Sequence, residues 1–235
     1  MNPPPILTTT PTKALGELET ETVTIEGVKF KIRRPLKPDL LLDDPTIRHA
    51  NNVDDYMPYW AEIWPASRML AKAILKQGEE LLPQSVSGAP VALELGCGLG
   101  LAGLAALYKG WHVVFSDYDT TALTFAADNA KLNNFKSYET LAIDWRSPPA
   151  NRKFPVILGA DLIYETVKHE PLLNVIRHLL APGGVALLTD PDRISCDAFR
   201  DTLKESEFQW SMEFIRAGEP GGQRYKGTLY WLQLP

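Results

Sequence analysis

The sequence predicts an α/β protein built on a doubly wound, mostly parallel sheet, and three observations lead to this prediction. Short apolar stretches alternate with longer helical stretches through the middle of the chain, as in parallel sheets covered on both faces. Two strand-like stretches follow the last helix without a helix between them, so they must pair antiparallel. Near the N-terminus, apolar and polar residues alternate on both sides of Glu26-Gly27, which predicts a small β-hairpin.

Each element has a local signal. The N-terminal hairpin is predicted at 22–25 and 28–32, and Pro65 begins a helix at a position that suits proline. The strands of the parallel part are predicted at 91–95, 112–116, 138–143, 155–160 and 185–189. The helices that follow them are predicted at 100–109, 120–132, 167–180 and 195–205, and the C-terminal hairpin at 208–215 and 227–234. Pro182-Gly183-Gly184 is predicted to end a helix, and residues 43–59 to form a loop or short helices.

Length and composition limit the domain count and the compartment. The chain has 235 residues, enough for one large α/β domain with an appendage or for two small domains. We expect an N-terminal extension with a β-hairpin at 1–55 and the main domain at 56–235. No stretch predicts a membrane span or a secretory signal. Cys97 and Cys196 form neither a disulfide framework nor a metal site, so we expect no metal and a cytoplasmic location.

The charge balance argues against a nucleic-acid partner. The formal net charge is −5, whereas a protein that binds nucleic acid nonspecifically is usually basic. The densest basic cluster consists of Lys31, Arg33 and Arg34 in the predicted hairpin, and it is interpreted as a solvated strand face.

The most informative motif follows the first strand of the parallel part. Glu94 ends this strand, and Gly96, Gly98 and Gly100 follow at every second position. The bend carries almost no side chains, so a nucleoside cofactor can lie against its backbone, near the amino end of the next helix. Gly98, Gly100 and Gly103 also match the dinucleotide fingerprint G-x-G-x-x-G, which is a weak signal when it stands alone.

Other features favour S-adenosylmethionine over a dinucleotide. A dinucleotide site has no need of the carboxylate of Glu94, and the chain leaves no room for a separate catalytic domain. Asp117 ends the second strand of the parallel part, and Asp144-Trp145 ends the third. The carboxyl ends of parallel strands line the ligand crevice, so we expect these residues to meet the glycine bend there. In the alternative interpretation, Asp117 caps a helix, although Asp119 suits that position better, and Trp145 belongs to the core.

These motifs resemble those of the class I, seven-strand S-adenosylmethionine-dependent methyltransferases, which have a Rossmann-like sheet. More narrowly, the chain from about residue 56 to 235 resembles the seven-strand protein lysine methyltransferases, methyltransferase family 16. The glycine motif is general to the class. The more specific signals are the tryptophan-containing stretch at 59–65 and the Asp-x-x-Tyr element at 161–164.

The resemblance implies roles for residues of the first two strand ends. Gly96, Gly98 and Gly100 would lie under the methionine part of the cofactor. Glu94 would hold either the turn or the amino group of the cofactor. Asp117 would bind the ribose hydroxyls.

The resemblance also implies roles for residues further along the crevice. Asp144 would accept a hydrogen bond from the adenine amine, and Trp145 would pack nearby. Trp64 would form a wall of the pocket. Asp161 and Tyr164 would be the catalytic residues that face the substrate amine.

We expect the methyl acceptor to be a lysine side chain of a protein. Asp161 can align an amine by hydrogen bonding, and the ring of Tyr164 can hold a partly methylated ammonium by a cation–π contact. Methyltransferases that act on adenine or on glutamine amides usually read Asn/Asp-Pro-Pro-Tyr here, whereas Leu162 and Ile163 replace both prolines. The alternatives are a methyltransferase for a small-molecule amine or other metabolite, and a non-catalytic cofactor-binding interaction module.

A few polar residues have other interpretations. Asp161 can also be read as a helix cap. Asn129 and Asn133 are expected to end a helix, and Trp60, four residues before Trp64, fits the core as well as a pocket wall. The segment 190–193 follows the fifth strand of the parallel part and is expected to lie near the substrate.

Overall fold

The N-terminal hairpin is present and forms a two-stranded sheet of its own. The structure, a computed structural model, describes residues 13–86, 88–219 and 221–235, so residues 1–12 of the predicted extension lie outside the described residues. Strand β1 (Leu18–Ile25) pairs antiparallel with β2 (Val28–Pro35). The two residues between the strands both have positive φ, as a two-residue hairpin turn requires.

Seven strands form the central sheet, in the order β5-β4-β3-β6-β7-β9-β8. Strands β3 to β7 run parallel, and they are Val91–Leu95, His112–Asp117, Tyr138–Ala142, Phe154–Ala160 and Leu180–Asp190. Strands β8 (Gln209–Gly218) and β9 (Arg224–Gln233) form an antiparallel hairpin, and β9 pairs antiparallel with β7. The predicted parallel sheet with a C-terminal antiparallel hairpin is therefore confirmed.

Helices cover both faces of this sheet. Helices α2 (Pro65–Gln77), α3 (Leu101–Tyr108) and α4 (Thr120–Leu132) contribute to the hydrophobic core on one face, which the N-terminal hairpin also joins. Helices α5 (His169–Leu179) and α6 (Ser195–Glu205) contribute to the core on the other face. Across the described part of the chain, no helix has the length and apolar character that crossing a bilayer requires.

The segment at 43–59 contains a regular helix. Helix α1 (Pro45–Asp54) begins after Asp44, whose side chain accepts a hydrogen bond from the backbone N–H of Thr46 at 2.8 Å. A short 3-10 helix (Pro38–Asp43) precedes it. Three residues of this segment form a small buried cluster, and they are Ile47, Ala50 and Tyr56. The prediction of short helices is thus correct for this segment, and the loop alternative is not.

The prediction that Pro182-Gly183-Gly184 ends a helix is wrong, because these residues belong to β7. Helix α5 ends at Leu179. The next residue, Leu180, has an extended backbone and pairs with Phe154 of β6. The pairing of the two strands then shifts register, so the Pro-Gly-Gly stretch forms a bulge. Leu180 is almost completely buried, and the helix itself ends within one residue of its predicted end at 180.

Two asparagines on α4 tie the hairpin to the body of the protein. Asn133 lies at the end of α4, as predicted, and exchanges hydrogen bonds of 2.9 and 2.7 Å with the backbone of Lys31. The prediction that Asn129 also ends the helix is wrong, because Asn129 lies within α4 and is fully buried. Its Oδ1 accepts from the Arg33 N–H at 2.7 Å, and its Nδ2 donates to the Leu99 carbonyl at 3.0 Å. Asn129 therefore joins the hairpin to the glycine bend.

We expect Asn129→Ala to lower the free energy of unfolding by about 2–3 kcal/mol, because it leaves buried backbone groups without partners. Asn133→Ala is the matched control, since its bonds to β2 lie near the surface, and it should cost about 1 kcal/mol or less. Urea denaturation of both variants measures the difference. Equal losses in the two variants would show that the bond to the bend contributes nothing.

Candidate functional site

A cavity of about 540 Å³ lies at the carboxyl ends of the parallel strands, where open α/β sheets bind ligands. Nine of the ten predicted site residues line it, and they are Trp64, Glu94, Gly96, Gly98, Asp117, Asp144, Trp145, Asp161 and Tyr164. Gly100 is not among the lining residues, and a Cβ on it would meet Phe115 and Ala126 at 3.0 and 3.1 Å. The bend and the strand-end acids thus face one common space.

The bend itself exposes backbone to the cavity. Gly96 and Gly98 have φ angles of +56° and +50°, in the left-handed region that favours glycine. A Cβ on Gly96 would lie 2.7 Å from the side chain of Leu162, and one on Gly98 would lie 3.3 Å from the carbonyl oxygen of Trp60. Cys97 between them is buried, and burial holds the pKa of its thiol well above the usual value. Glycine therefore suits both positions, and both of them line the cavity.

Glu94 holds the start of α3 from within the core. The side chain is buried, and its Oε2 accepts a hydrogen bond from the backbone N–H of Gly103 at 3.0 Å. Burial raises the pKa of Glu94 to about 8, although this hydrogen bond acts in the opposite direction. A Cβ on Gly103 would lie only 2.4 Å from the same carboxyl oxygen, so this position requires glycine. Of the two roles considered for Glu94, these contacts favour holding the turn.

Asp117, at the end of β4, is bonded directly to the bend. Its Oδ2 accepts from the N–H of Gly98 at 2.9 Å, and its Oδ1 accepts from the N–H of Asp119 at 3.0 Å. Burial raises the pKa of Asp117 to about 6 in spite of these bonds. Asp119 caps α4 by accepting from the N–H of Thr121 at 2.7 Å. The cap therefore belongs to Asp119, and Asp117 faces the cavity.

Tyr56 is a cavity residue that does not stand out in the sequence. Its hydroxyl donates a hydrogen bond to the Oδ2 of Asp119, which brings the segment after α1 against the edge of the cavity. Burial, together with the nearby charge of Asp119, raises the pKa of Tyr56, so the hydroxyl remains a donor. An aromatic residue in a polar stretch is its only sequence signal.

Asp144, after β5, is paired with its own neighbour Arg146. The pair is bidentate, with Nε and Nη2 of the guanidinium each 2.8 Å from a different carboxylate oxygen. Asp144 is buried, whereas the guanidinium is exposed and lies 5.5 Å from the ring centroid of Tyr118. Trp145 is half-buried against the core on the α5 and α6 face of the sheet. The two residues of this motif therefore point to different surroundings at one end of the cavity.

Asp161 is the first residue after β6 and has a left-handed φ of +63°. Its backbone N–H donates to the carbonyl oxygen of Thr189 on β7 at 2.9 Å, and Arg193 donates to its Oδ1. Burial raises the pKa of Asp161, while the nearby guanidinium of Arg193 opposes this shift. Helix α5 begins only at His169, so the helix-cap interpretation of Asp161 is wrong.

Aromatic rings form the wall beside Asp161. The ring centroid of Tyr164 lies 5.6 Å from that of Tyr59, which lies 5.8 Å from that of Trp64. Trp64 Nε1 also donates to the carbonyl oxygen of Tyr59 at 2.7 Å, which fixes the orientation of this wall. The ammonium of Lys168 lies over the ring of Tyr164 at 5.6 Å, so this face accommodates a cation. Trp60 is buried in the core and also lines the cavity, so both interpretations of this residue hold.

The cavity is acidic, because seven carboxyl groups and three cationic groups line it. The carboxyl groups are Asp55, Glu62, Glu94, Asp117, Asp119, Asp144 and Asp161, and the cations are Arg146, Lys168 and Arg193. Such a lining favours a positively charged ligand. Within residues 13–86, 88–219 and 221–235, no group of three His, Cys, Asp or Glu residues is arranged to hold a metal ion.

The fold and the cavity define a Rossmann-like α/β protein in which a glycine bend and an acidic, aromatic corner line one cavity. The chain belongs to the lysine methyltransferase family, whose model matches residues 45–208. The match bears out the methyltransferase class and the family to which the motifs point.

Individual relatives agree with the family. The chain is 32% identical over 138 residues to the electron transfer flavoprotein beta subunit lysine methyltransferase of Xenopus laevis, covering 58% of this chain and 53% of that protein. It is 30% identical over 142 residues to protein N-lysine methyltransferase METTL21A of Xenopus tropicalis, covering 58% and 63%. The aligned region thus spans between half and two thirds of the length of these relatives.

A solved structure of similar fold is the 16S rRNA N2 G1207 methyltransferase RsmC of T. thermophilus, with a TM-score of 0.58. It shares 19% identity with the chain, and the match covers 92% of this chain and 50% of that one. At this identity the likeness concerns the fold.

The raised pKa of Glu94 predicts a pH-dependent stability. Because the folded protein holds this proton more tightly than the unfolded chain, stability should fall as the pH rises from about 4.5 to about 8. In Glu94→Gln this side chain no longer titrates, so the free energy of unfolding should fall by about 1–3 kcal/mol less over this pH range than in the wild type. Chemical denaturation at several pH values measures the effect, and Glu139→Gln on the exposed face of β5 is the control. A wild-type protein with constant stability over this range would contradict the assignment.

Proposed function

We propose that the protein transfers a methyl group from S-adenosylmethionine to a lysine side chain of a protein substrate. The observation that carries the proposal is that one cavity holds both the bare glycine bend with Asp117 and the acidic, aromatic corner with Asp161 and Tyr164. A methyl transfer needs these two sites side by side, because the donor and the acceptor must meet. The family and the names of the relatives support the same activity.

The residues of the bend fit this cofactor. The backbone at Gly96 and Gly98, which has left-handed φ angles and lines the cavity, would lie under the methionine part. Asp117 would hold the ribose hydroxyls while it keeps its bond to the bend. Asp144 and Trp145 would contact the adenine at the far end of the cavity. The bound cofactor supplies an electrophilic methyl group with a neutral thioether as the leaving group.

The residues of the acceptor corner hold and orient the amine. A lysine amine has an ordinary pKa of about 10.4, so it must lose a proton before its lone pair can attack the methyl carbon. Asp161 would accept a hydrogen bond from the amine, and the ring of Tyr164 would contact the charged or partly methylated nitrogen. Burial raises the pKa of Tyr164, so its hydroxyl stays protonated and is no base. The new N–C bond forms as the C–S bond breaks, and the proton leaves to water.

Two other functions differ from this proposal in different ways. A methyltransferase for a small amine would use the same corner and would differ in releasing a free methylated product. A non-catalytic binding module would have no need of a buried acid beside a cation-accepting ring. Further parts of the proposal are a cytoplasmic location, no nucleic-acid partner, and a division of the chain into an extension at 1–55 and the methyltransferase domain at 56–235.

The direct test is mass spectrometry of a cell lysate incubated with the protein and cofactor that carries a deuterated methyl group. We expect deuterated methyl groups on lysine residues of one or a few proteins. Asp161→Ala should lower this labelling at least about a hundredfold while S-adenosylhomocysteine still binds, since the acid acts on the acceptor. Label found only in small molecules would support the metabolite alternative. An active Asp161→Ala variant would disprove the role of this residue.

The cofactor assignment has a separate test. Asp117→Ala should weaken the binding of S-adenosylhomocysteine about tenfold to a hundredfold in calorimetry, because two charge-assisted hydrogen bonds to the ribose are lost. Asp128→Ala on the outer side of α4 is the control, since Asp128 pairs with Lys131 outside the cavity. Unchanged affinity in Asp117→Ala would place the ribose elsewhere.

A further inference from the structure

Arg193 lies between two buried carboxylates at the acceptor end of the cavity. Its Nη1 donates to the Oδ1 of Asp161 and lies 3.4 Å from the Oδ2 of Asp190. Asp161 and Asp190 are 9% and 0% exposed, whereas the side chain of Arg193 is 35% exposed and lines the cavity. The guanidinium therefore reaches from the cavity wall to both acids.

The second oxygen of Asp161 is different from the first. Oδ2 is buried and accepts no hydrogen bond from the described residues. Buried carboxylate oxygens normally have hydrogen-bond donors, so the unbonded Oδ2 of this cavity-lining residue is an acceptor that still lacks a donor. We propose that Arg193 positions Asp161 by holding Oδ1, so that Oδ2 accepts the N–H of the incoming amine. This inference rests on the proposed function.

The charges of the cluster indicate which ligand it selects. The cluster consists of the two carboxylates of Asp161 and Asp190 and the single guanidinium of Arg193, so its net charge is −1. The other cations that line the cavity already have acidic partners, because Lys168 pairs with Glu165 at 3.1 Å and Arg146 pairs with Asp144 at 2.8 Å. An ammonium group would balance the cluster, whereas a neutral amide would leave the extra charge buried. The two acids, which Arg193 only partly neutralises, therefore favour cationic amines over amides.

The C-terminal hairpin fixes the loop that carries Arg193. The preceding residue, Asp192, accepts a hydrogen bond of 2.5 Å from the hydroxyl of Thr228 on β9. Asp192 also accepts from Arg200 on α6 at 3.4 Å and has a left-handed φ of +56°. The N–H of Arg193 itself lies 3.4 Å from the Oδ1 of Asp190. The fold thus determines where the guanidinium points.

The test compares Arg193→Gln and Arg193→Lys with the wild type. The acceptor is lysate protein, heated to inactivate its own methyltransferases, and the donor is S-adenosylmethionine with a tritiated methyl group. Arg193→Gln should lower the apparent kcat about tenfold to a hundredfold, because Asp161 is no longer oriented. The apparent KM should not rise, since the cluster becomes more negative and still attracts an ammonium.

The pH profile distinguishes positioning from a structural role. Loss of a positive charge raises the pKa of both Asp161 and the bound amine, so the acid limb of kcat should move to higher pH by about one unit. The titratable or charged groups around Asp161 come from four segments of the chain. The loop after β7 and the start of α6 contribute Asp190, Arg193 and Cys196, and the segment before α5 contributes Tyr164, Glu165 and Lys168. The other two groups are Asp117 at the end of β4 and Tyr59. Arg193→Lys keeps the positive charge, so the acid limb of its kcat profile should lie at the wild-type pH. Its apparent kcat should be only partly restored.

Arg177→Gln is the matched control, because Arg177 has the same exposed side-chain fraction of 35% and also pairs with a carboxylate, but lies outside the cavity. It should keep the wild-type kcat and pH profile. Wild-type kcat in Arg193→Gln, an unmoved acid limb, or weaker binding of S-adenosylhomocysteine in calorimetry would overturn the role of Arg193. An inactive wild type that still binds the cofactor would instead reject the proposed function, and this inference with it.

Discussion

Hydrogen bonds between buried side chains and the backbone of the glycine bend and of α3 fix the conformation of the site. Glu94 on β3 accepts from the N–H of Gly103, and Asp117 on β4 accepts from the N–H of Gly98. Asn129 on α4 donates to the carbonyl oxygen between the last two glycines of the bend. A bend made largely of glycine cannot be fixed by the packing of its own side chains. Its conformation therefore depends on Asp117, on Asn129 and on the backbone bond from the Cys97 N–H to the carbonyl oxygen of Ser116, while Glu94 holds α3.

The same contacts connect the parts of the fold. Asn129 also bonds to the backbone of β2, so the N-terminal hairpin and the bend are held by one side chain. At the other end of the cavity, Asp161 directly after β6 is held by Arg193 from the loop after β7, and that loop is held by β9. Both terminal hairpins therefore support the cavity from outside the parallel sheet, although neither contains one of the ten predicted site residues.

Much of the fold and the motif residues could be predicted from the sequence, because their signals are local. Strand and helix periods, turn residues at Glu26-Gly27, and acids after strands each depend on neighbouring residues. The common rule that strand ends meet at one edge of a parallel sheet then brings the bend, Asp117 and Asp161 into a single cavity. This agreement extends to nine of the ten predicted site residues.

The parts that escaped prediction depend on contacts between distant residues. The local sequence around Asn129 suggests a residue that ends a helix. Its actual partner is the backbone of Arg33 on β2, 96 positions away in the chain. Tyr56 bonds to Asp119, 63 positions away. The Pro-Gly-Gly stretch has the local sequence signal of a turn, which predicts a helix end. In the structure it belongs to β7 and forms a bulge where β7 pairs with β6. In each case a tertiary contact outweighed a local preference.

The two cysteines have a consequence for how the protein responds to oxidants. Cys97 lies in the bend, and Cys196 donates its thiol to Asp190 beside the acceptor corner. Burial raises the pKa of both thiols, that of Cys196 to about 12, so neither is a thiolate at neutral pH. Peroxide and thiol-directed reagents attack thiolates that solvent can reach, so both sulfur atoms are protected in the folded state. Oxidation of these two thiols should therefore be slow as long as the protein stays folded.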